Sequence, residues 1–181
     1  MRALVVYESM FGNTKTIAKA VADGLSSRMS VDLVEVNEAP PAIGDDVDVL
    51  VVGGPTHAFG MSRAGTRKGA GEQGAPVNVS GGIGLREWIE AVEGGPALDG
   101  AAAFDTAFKK ARLMGTAARA AEKRLRRLGV RLVAKPESFW VSGTPGPLVV
   151  GEEERARRWG AELAAALSTI LSGRERDRAP S

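Results

Sequence analysis

The chain has no cysteine, one histidine (His57), one tyrosine (Tyr7), and aromatics at only 5% of its 181 residues. Without cysteine there is no disulfide, no thiol nucleophile and no thiolate metal site. A single histidine leaves too few imidazole ligands for a histidine-built metal centre. No apolar run approaches the roughly 20 residues needed to cross a bilayer. Met1 to Val6 runs directly into a strand-like segment, without the separate charged region, apolar stretch and cleavage site of a signal peptide. A cytoplasmic location is therefore expected. Charge of one sign is not in large excess either: 24 basic and 22 acidic side chains give a formal net charge of +2. The pI near 9.1 is on the basic side, but nucleic-acid binding needs a clustered basic face, and the arginines fall mostly on predicted helix surfaces.

What is present is a regular alternation of strand and helix. Ala3 to Tyr7 is a continuous β-prone run, as in a strand buried on both faces. A helical pattern opens at Asn13 and Thr14, with Ile17, Ala18, Val21, Ala22 and Leu25 on one face. Val31 to Val36 alternates apolar and acidic residues like an edge strand, and Val47 to Val52 is a second buried run stopped by Gly53-Gly54-Pro55. From Pro55 to about Gly84 no period is visible, which predicts a long glycine-rich loop, of a kind that is usually functional or mobile. Leu85 to Val92 reads as a short helix and Ala101 to Phe104 as a third buried strand, with a polar loop after it. Thr116 to Leu128 forms a basic amphipathic helix closed by Gly129. Val130 to Val141, broken by Pro136, supplies a last strand. Glu152, Glu153 and Glu154 open a final helix that should end near Leu171.

Five such βα units, with right-handed crossovers, imply a parallel sheet covered by helices on both faces. The common strand order at this size is 2-1-3-4-5, in which ligands bind outside the carboxyl ends of the strands where the order reverses. One domain over residues 1–172 and a disordered tail over 173–181 are expected.

The loops after Tyr7, Val52 and Phe104 would meet at that edge. The first, Ser9-Met10-Phe11-Gly12-Asn13-Thr14, joins a buried strand to a helix N-terminus, where unpaired N–H groups point outward. Gly12 permits a tight turn, and the Ser9 and Thr14 hydroxyls can donate to a phosphate oxygen. With no lysine or arginine inside it, the loop suits a terminal monophosphate better than a triphosphate. It lacks Gly-Lys-Ser/Thr and the glycine spacing of a dinucleotide fingerprint. A plain capped helix start is the alternative. Tyr7-Glu8-Ser9 and Gly53-Gly54-Pro55 also lack the acidic cluster and acceptor aspartate of a phosphate-receiver domain.

Val5 to Ala18 resembles the first strand, phosphate loop and first helix of flavodoxins, and Val51-Val52-Gly53-Gly54-Pro55-Thr56 is similar to the family's third strand and the start of its second flavin loop. The match in rhythm extends over roughly residues 1–171. The resemblance implies a flavodoxin-like three-layer sandwich that binds flavin mononucleotide (FMN), with the phosphate on Ser9 to Thr14. It puts the ring between a loop of Pro55, Thr56, His57, Ala58, Phe59 and Gly60 and a loop beginning at Phe104, Asp105 and Thr106.

Phe59 and Phe108 are the aromatic candidates for stacking on the ring; either can instead be ordinary packing. Flavodoxins commonly use Trp and Tyr there, whereas Trp88, Trp140 and Trp159 fall on predicted helices or the last strand. His57 is placed to donate to the flavin or to complete the loop's own hydrogen bonds, and Asp105 to accept from the flavin pyrimidine N–H or to cap a turn. Around the loops, Arg63, Arg67, Lys68, Lys109, Lys110 and Arg112 stand against Glu72 and Asp105. This basic rim departs from the acidic electron carriers and suits an acidic redox protein or NAD(P)H; ordinary solvated loop lysines and arginines are the alternative. The expected function is electron transfer. Alternatives are an FMN-dependent NAD(P)H:quinone-type oxidoreductase, with the loop from Met61 to Gly82 as a lid, and a flavin-free partner-binding module.

Overall fold

The computed structural model describes residues 1–75, 82–94, 98–110 and 115–178. The chain runs β1 (Arg2–Tyr7), α1 (Asn13–Leu25), β2 (Ser30–Glu35), β3 (Ala42–Ile43), β4 (Val49–Pro55), α2 (Ala64–Glu72), α3 (Leu85–Ala91), β5 (Glu93–Gly94), β6 (Gly100–Ala107), α4 (Ala117–Arg127), β7 (Glu137–Trp140) and α5 (Glu152–Arg178). Five strands form one sheet in the order β2-β1-β4-β6-β7, with every neighbour parallel. Counting only this sheet, that is the expected 2-1-3-4-5. β3 and β5 pair separately as a two-stranded parallel sheet; two-residue strands are too short to leave a period in the sequence.

The unbroken apolar runs are explained by burial on both faces. In β1, Ala3, Val5 and Tyr7 join the core against α1 and α5, while Leu4 and Val6 join the core on the opposite face with residues of α3 and α4. β2 lies at the sheet edge, which accounts for its alternating pattern. α1 and α5 touch backbone to backbone at Gly24 and Gly160: a methyl on Gly24 would overlap the Arg157 carbonyl, and one on Gly160 the Val21 carbonyl.

Two expectations are corrected. The segment from Pro55 to Gly84 is not loop throughout, because Ala64–Glu72 is helical (α2). Its sequence, AGTRKGAGE, has three glycines and no apolar stripe, so propensity and pattern hide it. It is held instead by the buried side chains of Arg67 and Ala70. Residues 76–81, the heart of the proposed lid, lie outside the described residues. The last helix continues to Arg178 instead of ending near Leu171. The helix-favouring, alternately charged Arg-Glu-Arg-Asp-Arg outweighs Gly173, whose interior position costs only about 1 kcal/mol.

Candidate functional site

At the carboxyl edge of the sheet, four loops enclose a cavity of about 240 Å3. The loop after β1 contributes Met10, Phe11, Asn13 and Thr14; the loop after β4 contributes Pro55, Thr56, His57 and Ala58; β6 and its sequel contribute Thr106, Ala107 and Phe108. Val141 and Thr144, after β7, form the fourth side.

The first loop is organised by Ser9. Its Oγ accepts from the amides of Gly12 and Lys15, both at 3.2 Å, so it shapes the turn from within. Gly12 sits at the helix N-cap with φ 90°, a left-handed conformation that glycine adopts without strain. The amides of Met10, Phe11, Asn13 and Thr14 have no partner among the described residues, and all four residues line the cavity. They sit at the positive end of the α1 dipole. The Thr14 and Thr106 hydroxyls share a 2.7 Å hydrogen bond that ties the first loop to the third. No lysine or arginine lines this cavity. The donor set therefore fits one terminal phosphate, bound by backbone amides and a hydroxyl.

The second loop reverses at His57–Gly60. The two end residues exchange backbone hydrogen bonds of 2.8 and 3.0 Å. Both central residues, Ala58 (φ 44°) and Phe59 (φ 66°), are left-handed, the geometry of a type I′ turn that normally selects glycine or asparagine. Such conformations cost of order 1–3 kcal/mol each and persist where the surroundings over-determine them. Here Gly115 packs against the Phe59 carbonyl so closely that a methyl would not fit. The turn sends His57 and Ala58 to the cavity and Phe59 to its other side. Burial, and then the charge of Arg67, lower the His57 pKa, which keeps the imidazole neutral at pH 7.

Beneath these loops two carboxyls are buried. Asp105 is fully buried; its Oδ2 accepts from the Ala118 amide at 2.7 Å, beside Thr56, whose Oγ1 accepts from the Ala117 amide at 2.8 Å. The α4 N-terminus is thus clamped to the second and third loops. Burial raises the Asp105 pKa, against the opposing pull of the Ala118 amide. Glu8 is also buried; it accepts from the Ser62 hydroxyl at 2.5 Å and the Leu85 amide at 2.8 Å. Arg67 donates to Ser62 and pairs with Glu87 at 3.2 Å, completing a network that fastens α2 and α3 to the end of β1.

Of the expected site residues, the cavity brings together Met10, Phe11, Asn13, Thr14, Pro55, Thr56, His57, Ala58 and Thr106. Ser9 and Gly12 shape the loop without lining it. Gly60 closes the turn, and Phe59 is exposed on the far side. Phe104 is placed elsewhere: fully buried, it covers Gly53 and meets Phe139 and Trp159 edge-on at 6.2 Å. Asp105 faces the α4 N-terminus rather than the cavity. Position in the strand decides this, since alternate residues at a strand end point to opposite faces. The nearer stacking candidate is Phe108, not Phe59. Trp88 and Trp159 are buried in the cores, away from the cavity as expected.

The loop after β7, which carries no ligand motif, packs on the first loop. The Asn13 side chain donates to the Pro145 carbonyl at 3.1 Å, and Gly146 lies so close to Asn13 that a methyl would collide with it. The turn-rich Ser-Gly-Thr-Pro-Gly-Pro of residues 142–147 was the available signal. The basic rim is also redistributed. Arg67 is buried and paired rather than exposed, and Arg112 lies outside the described residues.

An all-parallel 2-1-3-4-5 sheet with a glycine-turned loop between its first strand and first helix defines a flavodoxin-like α/β fold. In agreement, the flavodoxin family model matches residues 5–79. Solved structures similar to the chain include a flavodoxin from the domain Archaea, 20% identical with a TM-score of 0.62, covering 93% of this chain and 99% of that one. Oxidised flavodoxin 1 from Bacillus cereus is 15% identical with a TM-score of 0.63 over 91% and 98% of the two chains. Rubredoxin oxygen:oxidoreductase from Desulfovibrio gigas, 18% identical with a TM-score of 0.62, is matched over 94% of this chain but 37% of its own length. At these identities the likeness is one of fold. No curated protein matches in sequence.

Proposed function

We propose that the chain is an FMN-binding redox protein that transfers electrons to a partner. The observation that carries this reading is the cavity itself. Four amides without a partner among the described residues and the Thr14 hydroxyl, at the α1 N-terminus, share one space with the His57–Ala58 turn and Phe108. Met10 to Thr14 would hold the phosphate. At about 240 Å3 the cavity is smaller than the roughly 300–1,000 Å3 of sites that enclose a whole small ligand, which suits a cofactor with a redox-active edge left open to a partner. FMN supplies one- and two-electron chemistry when bound. The protein's part is to bind it, to present a neutral His57 and backbone groups to it, and to hold the loops rigid through the Asp105 and Thr56 clamp.

The purified protein's absorption spectrum tests this, with flavin bands expected at about 375 and 450 nm. A reductase acting on quinone-like acceptors is the second reading, favoured by the groove described next. Steady oxidation of NAD(P)H by a quinone without an added reductase would select it. A colourless protein that takes up no FMN from solution would leave only a flavin-free binding module.

A further inference from the structure

Behind the His57–Gly60 turn lies a second, larger concavity of about 1,110 Å3, formed between α4, the segment leading into β7 and the start of α5. Two features mark it. First, four of its cations, Lys109, Arg119, Lys123 and Lys135, are exposed and have no carboxylate partner among the described residues. The three carboxylates that also line it are already engaged: Glu122 by Arg126, and Glu137 and Glu152 by Arg155. Unlike a surface on which charges alternate and cancel, the groove keeps an uncompensated positive potential inside a concave wall, which focuses the field on an anion.

Second, the groove shares its wall with the cavity. His57 and Ala58 face the cavity and Phe59 the groove; Phe108 faces the cavity and Lys109 the groove. Phe59 is 52% exposed on a turn whose strained backbone holds it outward. An exposed aromatic at the end of a basic channel is the pairing that stacks a base or nicotinamide ring while cations hold phosphates.

We propose that this groove binds a phosphorylated nucleotide carrying several phosphates, with its phosphates on Lys123, Lys135 and Arg119 and a ring against Phe59. Concavity favours a small molecule over a flat protein face, and about 1,110 Å3, just above the roughly 300–1,000 Å3 of small-ligand sites, leaves room for a ligand of that class. The proposal rests on the FMN reading only for its purpose, a donor bound beside the cofactor; the binding itself does not require FMN.

Isothermal titration calorimetry of the full chain with AMP, ADP and 2′,5′-ADP at low and moderate salt tests it. Affinity should rise with each added phosphate, fall with salt, and drop about tenfold in Lys123→Ala and in Lys135→Ala, each equivalent to about 1.4 kcal/mol. FMN uptake, followed by quenching of flavin fluorescence, should be the same in both variants, since neither residue lines the cavity. Equal affinity for AMP and 2′,5′-ADP, or binding unaffected by both substitutions, would overturn the proposal. Loss of FMN uptake in the parent protein would instead overturn the function proposed above while leaving this result standing.

Discussion

Sealed at the end of β1, the Glu8 carboxyl shows how a single residue can couple stability to pH. Burial raises its pKa above the ordinary 4.5, against the hydrogen bonds from Ser62 and Leu85 and the charge of Arg67. A carboxyl whose folded pKa is raised takes up a proton on folding. Its favourable contribution is complete below about pH 4.5 and is lost as pH rises through the folded value. Glu87, held below its ordinary value by backbone amides and Arg67 in spite of desolvation, acts in the opposite sense. It is common to the wild type and to Glu8→Gln, so the difference between them isolates Glu8. The melting temperature of Glu8→Gln relative to wild type should climb as pH rises from 4 to 8. A gap that is constant or shrinks over that range would contradict the burial argument. The sequence offered Glu8 only as part of a loop; its burial depends on Ser62 and the Leu85 amide, 54 and 77 positions away. A contact at that separation leaves no local pattern.

Among the elements, α4 and the α1–α5 pair carry the clearest consequences. Three successive N–H groups of α4 are capped from different places: Ala117 by Thr56, Ala118 by Asp105 and Arg119 by Thr116. The Thr116 bond is long, 3.4 Å, against 2.8 Å for Thr56. Thr56→Val should therefore cost more stability than Thr116→Ala, by about 1–2 kcal/mol against about 0.5 kcal/mol in denaturant titrations. The reverse order would mean that the local cap, not the loop, holds the helix start. At Gly24, Gly24→Ala should destabilise by about 1–3 kcal/mol even though alanine is the better helix former, because the new methyl meets the Arg157 backbone. Unfolding free energy equal to or above wild type would show that the helices can part without penalty. Strands and long helices were legible because their burial imposes a period. α2 was not, because Arg67 and Ala70 anchor it through tertiary contacts rather than an apolar stripe. The loop after β7 was likewise visible as a turn, but its packing on Asn13 was not.

For the molecule as a whole, the sheet order and the meeting of the first three loops could be read in advance. Which residues at the end of β6 face the cavity could not. Asp105 and Phe104 precede Thr106 by one and two positions, yet only Thr106 lines the cavity. The electrostatic picture also changed at this scale. The cavity has no basic side chain and the uncompensated positive charge gathers in the neighbouring groove, so a phosphate held in the cavity, as proposed, would depend on dipoles and amides. Thr14→Val should weaken FMN by about 1–3 kcal/mol through the lost charge-assisted bond. Ser9→Ala should weaken it by a similar amount indirectly, by releasing the Gly12 and Lys15 amides from the turn. Fluorescence titration of the two variants checks both, and unchanged affinity in both would move the phosphate elsewhere. The most direct test is the visible spectrum of the purified protein after incubation with FMN and removal of excess. The account predicts retained flavin bands near about 375 and 450 nm at close to one FMN per chain. A colourless protein that leaves added FMN fluorescence unquenched would contradict it.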